Sequence, residues 1–341
     1  MDSLQVAFVV DADSFGVAEA QVARLLRFLP SWIRPSLVVS QEVATFFGHQ
    51  PGATVVPLAR GRTWAPDVQA ALERLRPDVV HVNLPEPGGN AAALRAAESV
   101  APTVVTLHAD GPLPSDAWDV YQGLAGAFAP LRSLVHTLTE LGVPAHRVRR
   151  IRPGVEIPAS PVTPGARVPV VLGAVAPLVP EHGLDLLVQA VAALTRRGRS
   201  VQVLIAGDGP DRAILIDRAR GLPIRFVGPV ADAVPLLRRL DVFCFPARQE
   251  VPPGPLLNAM AHGLPCLTTA VGDAVEVLAG GAAIVAADDV VALTGGIDRL
   301  VTEVGLRTML GRAGRELAIR EFDVRRVGAE VGEALLAAAR V

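Results

Sequence analysis

The 341-residue sequence contains no lysine: all 32 of its basic residues are arginine. It has only two cysteines, Cys244 and Cys266. Two are too few for a disulfide framework or a four-cysteine zinc site, and both stand in apolar, strand-like runs as buried thiols do. No uncharged apolar stretch approaches the ~20 residues that a membrane-spanning helix needs. The amino terminus, MDSLQVAFVVDAD, has an acid at position 2 and a short apolar run, which reads as a first strand and not a secretion signal. A cytoplasmic protein is therefore expected. The formal net charge of −2 gives no basic footprint for nucleic acid. None of the seven histidines has the spacing of a metal-binding helix. There is no Gly-x-Ser-x-Gly elbow, and GDGPDR at 207–212 lacks the later glycine of a dinucleotide fingerprint. Asp11-Ala12-Asp13 imitates a metal-binding Asp-x-Asp, but the pattern is too short to carry that reading, and no metal or cofactor is expected.

What is abundant is apolar sequence, half of all residues, arranged in short β-branched runs that alternate with helical patterns. In the first half QVAFVV, SLVV, ATVV, DVVHV, PTVVTL and RSLVH read as strands, with helices around 21–29, 65–75 and 90–100. In the second, VPVVLGAV, VQVLIAGDG, IRFVG, DVFCF, PCLTT and AAIVA read as strands, with helices from about Gly183, Asp211, Val234, Pro255, Val290 and Val304. Continuous apolar strands alternating with helices predict parallel sheets covered on both faces. Between the halves, PGVEIPASPVTPGARVP has the proline content of a linker. The expected architecture is α/β, two doubly wound Rossmann-like domains with a cleft between them: 1–156, a linker at 157–168, 169–322, and a last helix at 323–341. Such a cleft is a natural ligand site.

The second half carries APLVPEHGLDLLVQAVAAL, VQVLIAGDGPDRAIL, RFVG and FPARQEVPPGPLLNAMAHGLPCLTTAVGDAVEVL in that order. Together they resemble the nucleotide-sugar domain of the retaining glycosyltransferase family 4, which has the GT-B fold. The first half agrees through GVAEAQVARLL, PDVVHVN, VVTLHAD and VPAHRVRRIRPGVE. The resemblance implies transfer of a sugar from a nucleoside diphosphate to an acceptor hydroxyl with retained configuration and without a metal. It implies that the last helix crosses back to the first domain. It assigns Glu250 to the sugar hydroxyls, the position of Asn258 to the ribose, and His108 to the neighbourhood of the transferred sugar. Glu250 and His108 are thus the expected catalytic pair. Gly16, His182, Arg248, Gly254, Leu256, Leu257, Asn258 and Gly228 are the expected donor-binding residues, and Asp13, His81, Asn83 and Asp110 line the acceptor side.

Several positions depart from that pattern. Pro177 and His182 stand where the family clamps the diphosphate with arginine and lysine, and Asn258 replaces a carboxylate. Hydrogen bonds to charged groups contribute roughly 1.5–3 kcal/mol against about 1 for neutral ones, so each exchange weakens the grip on the donor. Pro252, Pro253 and Pro255 remove backbone donors from the loop after Glu250. Gly16-Val17 replaces a pair of glycines, and Arg248 and Arg225 are the nearest arginines that could restore charge. Two other readings stay open: a degenerate GT-B protein serving as a binding or partner subunit, and a nucleotide-sugar epimerase. The acceptor is expected to be a small molecule, a glycan or a lipid-linked compound. RLLRFLPSWIRP at 24–35 offers either a weak membrane-surface contact or a core-facing helix whose arginines reach water.

Overall fold

The computed structural model describes residues 3–14, 16–48, 52–88, 91–112, 118–162, 168–230 and 232–341. The chain divides into two compact units, one of residues 1–154 with 324–341 and one of residues 155–323.

The first unit is built on strands β1 (Leu4–Val10), β2 (Ile33–Ser40), β3 (Thr54–Leu58), β4 (Val79–Leu84), β5 (Thr103–Leu107), β6 (Gly126–Ala129) and β7 (Val148–Arg150). All pair in parallel, in the order β3-β2-β1-β4-β5-β6-β7. Helices α1 (Val17–Phe28), α2 (Gln41–Phe47), α3 (Trp64–Leu75), α4 (Ala91–Glu98), α5 (Trp118–Gly123) and α6 (Arg132–Glu140) connect them. Every residue of β4 is buried, as a central parallel strand covered on both faces requires. The run RSLVH, expected as a strand, is the start of α6. Its Leu134 and Leu138 lie four residues apart and are both buried, so the apolar residues obey a helical period and not alternation. The strand in that region is the preceding GAFA of β6.

The second unit has strands β8 (Val170–Val175), β9 (Val201–Ala206), β10 (Ile224–Gly228), β11 (Val242–Phe245), β12 (Cys266–Thr269) and β13 (Ala283–Val285). They form a parallel sheet in the order β10-β9-β8-β11-β12-β13. Its helices are α7 (Leu184–Arg196), α8 (Arg212–Arg218), α9 (Val234–Leu237), α10 (Gly254–Ala261), α11 (Ala274–Val277), α12 (Val290–Thr302) and α13 (Val304–Phe322). Cys244 and Cys266 are buried free thiols in this sheet. Arg307, only 1% exposed, donates from Nη1 to the carbonyls of Leu300 and Val301, so a cation closes the C-terminal end of α12. Of the linker expected at 157–168, residues 163–167 lie outside the described residues. The described part is bonded to the second unit: Val162 N–H donates to His262 O at 2.6 Å and Arg315 donates to Pro158 O at 2.6 Å.

The last helix, α14 (Val324–Ala338), belongs to the first unit and packs on α1. Val327, Val331, Ala334 and Leu335 join the core cluster that holds Val22, Leu26 and Ile33. Gly328 makes this close approach possible: a Cβ there would lie 2.4 Å from the carbonyl oxygen of Phe28. The apolar side chains of 24–35 are accordingly turned inward. Val22 and Leu26 are buried, Phe28 and Trp32 are half-buried, and Arg27, Ser31 and Arg34 face water. The segment is the end of α1, a turn and the start of β2, not one helix, and its apolar side chains face the core while Arg27 and Arg34 reach water.

Each sheet reverses its strand order once, between β1 and β4 in the first unit and between β8 and β11 in the second. Adjacent loops diverge at such a reversal and leave a crevice at the carboxyl ends of the strands, where ligands bind in open α/β sheets.

Candidate functional site

In the second unit several of the expected donor residues stand on the loops that follow β8 and β11, the two strands that flank the reversal. Pro177 and His182 follow β8, Glu250 follows β11, and the backbone N–H of Arg248 donates to Glu181 O at 2.8 Å, tying the two loops together. Glu250 is half-buried, and Gly272 is folded against its carboxyl group. Gly272 has φ +51°, a conformation that favours glycine, and a Cβ there would lie 2.6 Å from Glu250 Cδ and push the carboxyl group aside. Asn258 is half-buried on α10, and its carbonyl accepts from the Nδ1 of His262 at 2.8 Å. Gly254 begins α10 and faces open space. Gly228 ends β10 at φ +78° and accepts from Gly207 N–H at 2.9 Å.

Three expected donor contacts look different in the folded chain. Arg248 does not offer a free guanidinium. It grips Asp185 through two bonds of 2.6 and 2.8 Å and Asp288 through one of 2.7 Å. These carboxylates raise its pKa, and Arg248 in turn lowers that of Asp185. Leu256 and Leu257 turn their side chains into the core at 1% and 0% exposure, and the N–H of Leu257 donates to Pro253 O, so only the backbone of Leu256 is left to meet a ligand here. His182 stacks edge-on against Phe245, and burial outweighs the opposing effect of Glu181 to lower its pKa. It is therefore neutral near pH 7 and offers a hydrogen bond without a charge. Arg225 is exposed on β10.

In the first unit, His81, Asn83 and His108 form a buried polar cluster with Thr106 on the sheet face that α1 and α14 cover. His108 Nε2 meets Asn83 Oδ1 at 2.6 Å, and His81 Nε2 meets Thr106 Oγ1 at 2.7 Å. The rings of Phe8 and Phe128 enclose His81. Burial lowers the pKa of His81 to about 3, with His108 adding to the effect, and lowers that of His108 to about 4. Both rings are neutral at pH 7. An acceptor at Nε2 makes His108 donate from that nitrogen, which leaves Nδ1 as a bare acceptor. The second ring nitrogens of both histidines and the amide nitrogen of Asn83 lack partners among the described residues. All three residues line a cavity of about 60 Å³.

A larger pocket of about 480 Å³ opens at the β1/β4 reversal, lined by Asp13, Gly16 and Asn83. Gly16 N–H donates to the carboxylate of Glu19 at 2.9 Å, so that donor is already satisfied. The Gly-x-x-Glu spacing is the signal of this cap, one the reading above did not use. Asp11 pairs with Arg60 at 2.6 Å in the same wall. Asp110 is exposed and accepts from Thr137 on α6; it lines neither cavity, although its neighbour Ala109 lines the larger one. Among the described residues no group of three His, Cys, Asp or Glu side chains could hold a metal ion, and no helix is long and apolar enough to cross a membrane.

Comparison with known proteins divides along the same units. Residues 18–157 match the family model described as Glycosyltransferase Family 4, and residues 169–303 match that described as Glycosyl transferases group 1. The capsular polysaccharide biosynthesis glycosyltransferase CapM of Staphylococcus aureus is 24% identical over 45% of this chain and 42% of its own. A GDP-mannose-dependent phosphatidylinositol dimannoside mannosyltransferase of Mycobacterium tuberculosis is 34% identical over 29% of this chain and 26% of its own. The matched stretch thus spans less than half the length of either curated relative. The solved structure of Anabaena Alr3699/HepE in complex with UDP superposes over 98% of this chain and 100% of that one, with a TM-score of 0.80 at 16% identity. The fold is GT-B, two parallel-sheet α/β domains.

Proposed function

We propose that this chain, built of two glycosyltransferase domains in the order of the GT-B fold, transfers a sugar from a nucleoside diphosphate to an acceptor hydroxyl. The observation that carries this reading is the match of both units, in order, to glycosyltransferase models. The reaction is proposed to retain the anomeric configuration and to need no metal.

Glu250, held by Gly272 at the carboxyl end of the β11 loop, accepts hydrogen bonds from the sugar hydroxyls. Asn258 accepts from the ribose diol through a neutral oxygen. With His182 neutral and Arg248 engaged by Asp185 and Asp288, charge on the leaving diphosphate falls to backbone N–H groups such as those opening α10. His108 acts as a hydrogen-bond acceptor through Nδ1, and its neutrality keeps that role available across the physiological range.

Calorimetric titration with UDP, GDP, ADP and TDP is the first test. UDP leads because HepE was solved with it. Micromolar binding of one nucleotide supports the reading, and binding of none refutes a live donor site. Pro177→Arg should tighten the bound nucleotide by roughly 10- to 100-fold, the equivalent of one restored charge-assisted bond. The product anomer, read by proton magnetic resonance, decides retention, and an EDTA-insensitive rate decides metal independence.

A further inference from the structure

Glu250 stands two residues beyond Arg248, and the chain that leads to it is fastened step by step. Thr268 and Thr269 of β12 donate through their hydroxyls to the carbonyls of Phe245 and Ala247. Beyond Glu250, Pro252, Pro253 and Pro255 have no N–H with which to anchor the loop. Arg248 lies between these two regimes, and its bonds reach in three directions. Its backbone N–H donates to Glu181 O at 2.8 Å, and its Nη1 donates to Pro180 O at 3.0 Å. Nη1 and Nη2 make the parallel pair to Asp185, in the first turn of α7, and Nε reaches Asp288. Pro180, Glu181 and Asp185 follow β8, while Asp288 follows β13. One guanidinium therefore ties together the chain leaving the carboxyl ends of β8, β11 and β13. A planar fork on a carboxylate fixes direction as well as distance. The Arg248 and Asp185 side chains are 27% and 21% exposed, so the pair is largely shielded from water.

We propose that Arg248 is a positioning residue: its clamp on the loops after β8 and β13 holds the segment that carries Glu250 where the carboxylate can meet a sugar, and it touches no ligand itself. For the task of Glu250 this rests on the glycosyl-transfer reading; the clamp rests on the bonds alone. A group that accepts from sugar hydroxyls must be placed to within about 0.5 Å. The nucleotide is met instead by α10, farther along the chain. Loss of Arg248 thus costs turnover and spares nucleotide affinity.

The test compares Arg248→Ala with Arg199→Ala in the full-length protein. Arg199 makes an ion pair of the same form in the same unit, to Asp298 at 2.6 and 3.2 Å, but it precedes β9 and so lies at the amino ends of the strands. Hydrogen exchange read by mass spectrometry should quicken roughly threefold or more over 247–254 in Arg248→Ala, and not in Arg199→Ala. UDP-glucose hydrolysis, in which water takes the place of the acceptor and UDP leaves, supplies the second readout; GDP-, ADP- or TDP-glucose replaces it if calorimetry selects that nucleotide. In Arg248→Ala kcat should fall about tenfold or more, with KM and nucleotide affinity within about twofold. Arg248→Lys should not restore turnover, because an ammonium keeps the charge but not the parallel pair. Unchanged exchange over 247–254, quickened exchange with unchanged kcat, an equal loss of kcat in Arg199→Ala, full turnover in Arg248→Lys, or a loss of nucleotide affinity matching that of kcat each overturns the proposal. No nucleotide binding by the native protein sinks the glycosyl-transfer reading alone. The clamp is then decided by exchange, which quickens over 247–254 if Arg248 holds the segment and stays unchanged if it does not.

Discussion

Burial holds His81 and His108 neutral, at about 3 and about 4, and this couples folding to pH. The unfolded chain protonates histidine near 6.5 while the folded chain does not, so the unfolded state binds more protons below that value. Stability is complete above about pH 6.5 and falls with decreasing pH until the folded pKa values are reached, by up to about 1.4 kcal/mol per pH unit for each ring. Urea unfolding at pH 7 and pH 5 should show the loss, and His81→Phe should reduce its slope by about half. Arg248 gives a second test at this scale. If its ion pairs with Asp185 and Asp288 are its purpose, Arg248→Ala lowers the melting temperature and leaves nucleotide affinity within about twofold; a diphosphate ligand would instead lose about tenfold or more. The positions of His81, Asn83 and His108 were legible as polar residues ending apolar strands. The partners of Arg248 were not, because Asp185 and Asp288 lie 63 and 40 residues away in sequence and only the folded loops bring them together.

Among the elements, close backbone approach decides more than helix propensity. Alanine is favoured over glycine within a helix by about 1 kcal/mol, and that gain should appear at Gly295 of α12, where an added Cβ meets nothing. Gly328→Ala of α14 should do the reverse, destabilising by roughly 1–3 kcal/mol, since its Cβ collides with the carbonyl of Phe28 and backbone must shift. Thermal unfolding of the two variants side by side checks the contrast; equal shifts would mean that the Phe28 turn yields freely. The same distinction explains what could be read of the elements. The long β-branched strands such as β1, β4 and β9 were legible from their apolar runs. The three- and four-residue β7 and β6 were not, because VRR and GAFA carry no strand signal of their own and are strands only by pairing, β6 with β5 and β7 with β6.

For the molecule as a whole, two α/β units were readable from the alternation of periods. The return of the final helix came from family likeness, since an amphipathic pattern does not say which core it covers. Its weight is considerable. Val327, Val331 and Leu335 are 7%, 4% and 0% exposed, and burying each such side chain contributes roughly 1.5–3 kcal/mol. That is of the order of a domain's entire stability, about 5–15 kcal/mol. Deleting 324–341 should therefore open the first unit and leave the second cooperative. Limited proteolysis with mass spectrometry checks this: early cuts should fall within 3–154, and cuts spread evenly over both units would contradict it.

The placement of α14 also orders events on the ribosome. Domains usually fold as they emerge, the amino-terminal one first. Here the core of the first unit lacks one wall until the helix at 324–338 has been synthesised, after every residue of the second unit has been added. The nascent chain thus completes its second domain before its first, and the apolar face that awaits α14 is, for that interval, the part a chaperone would find.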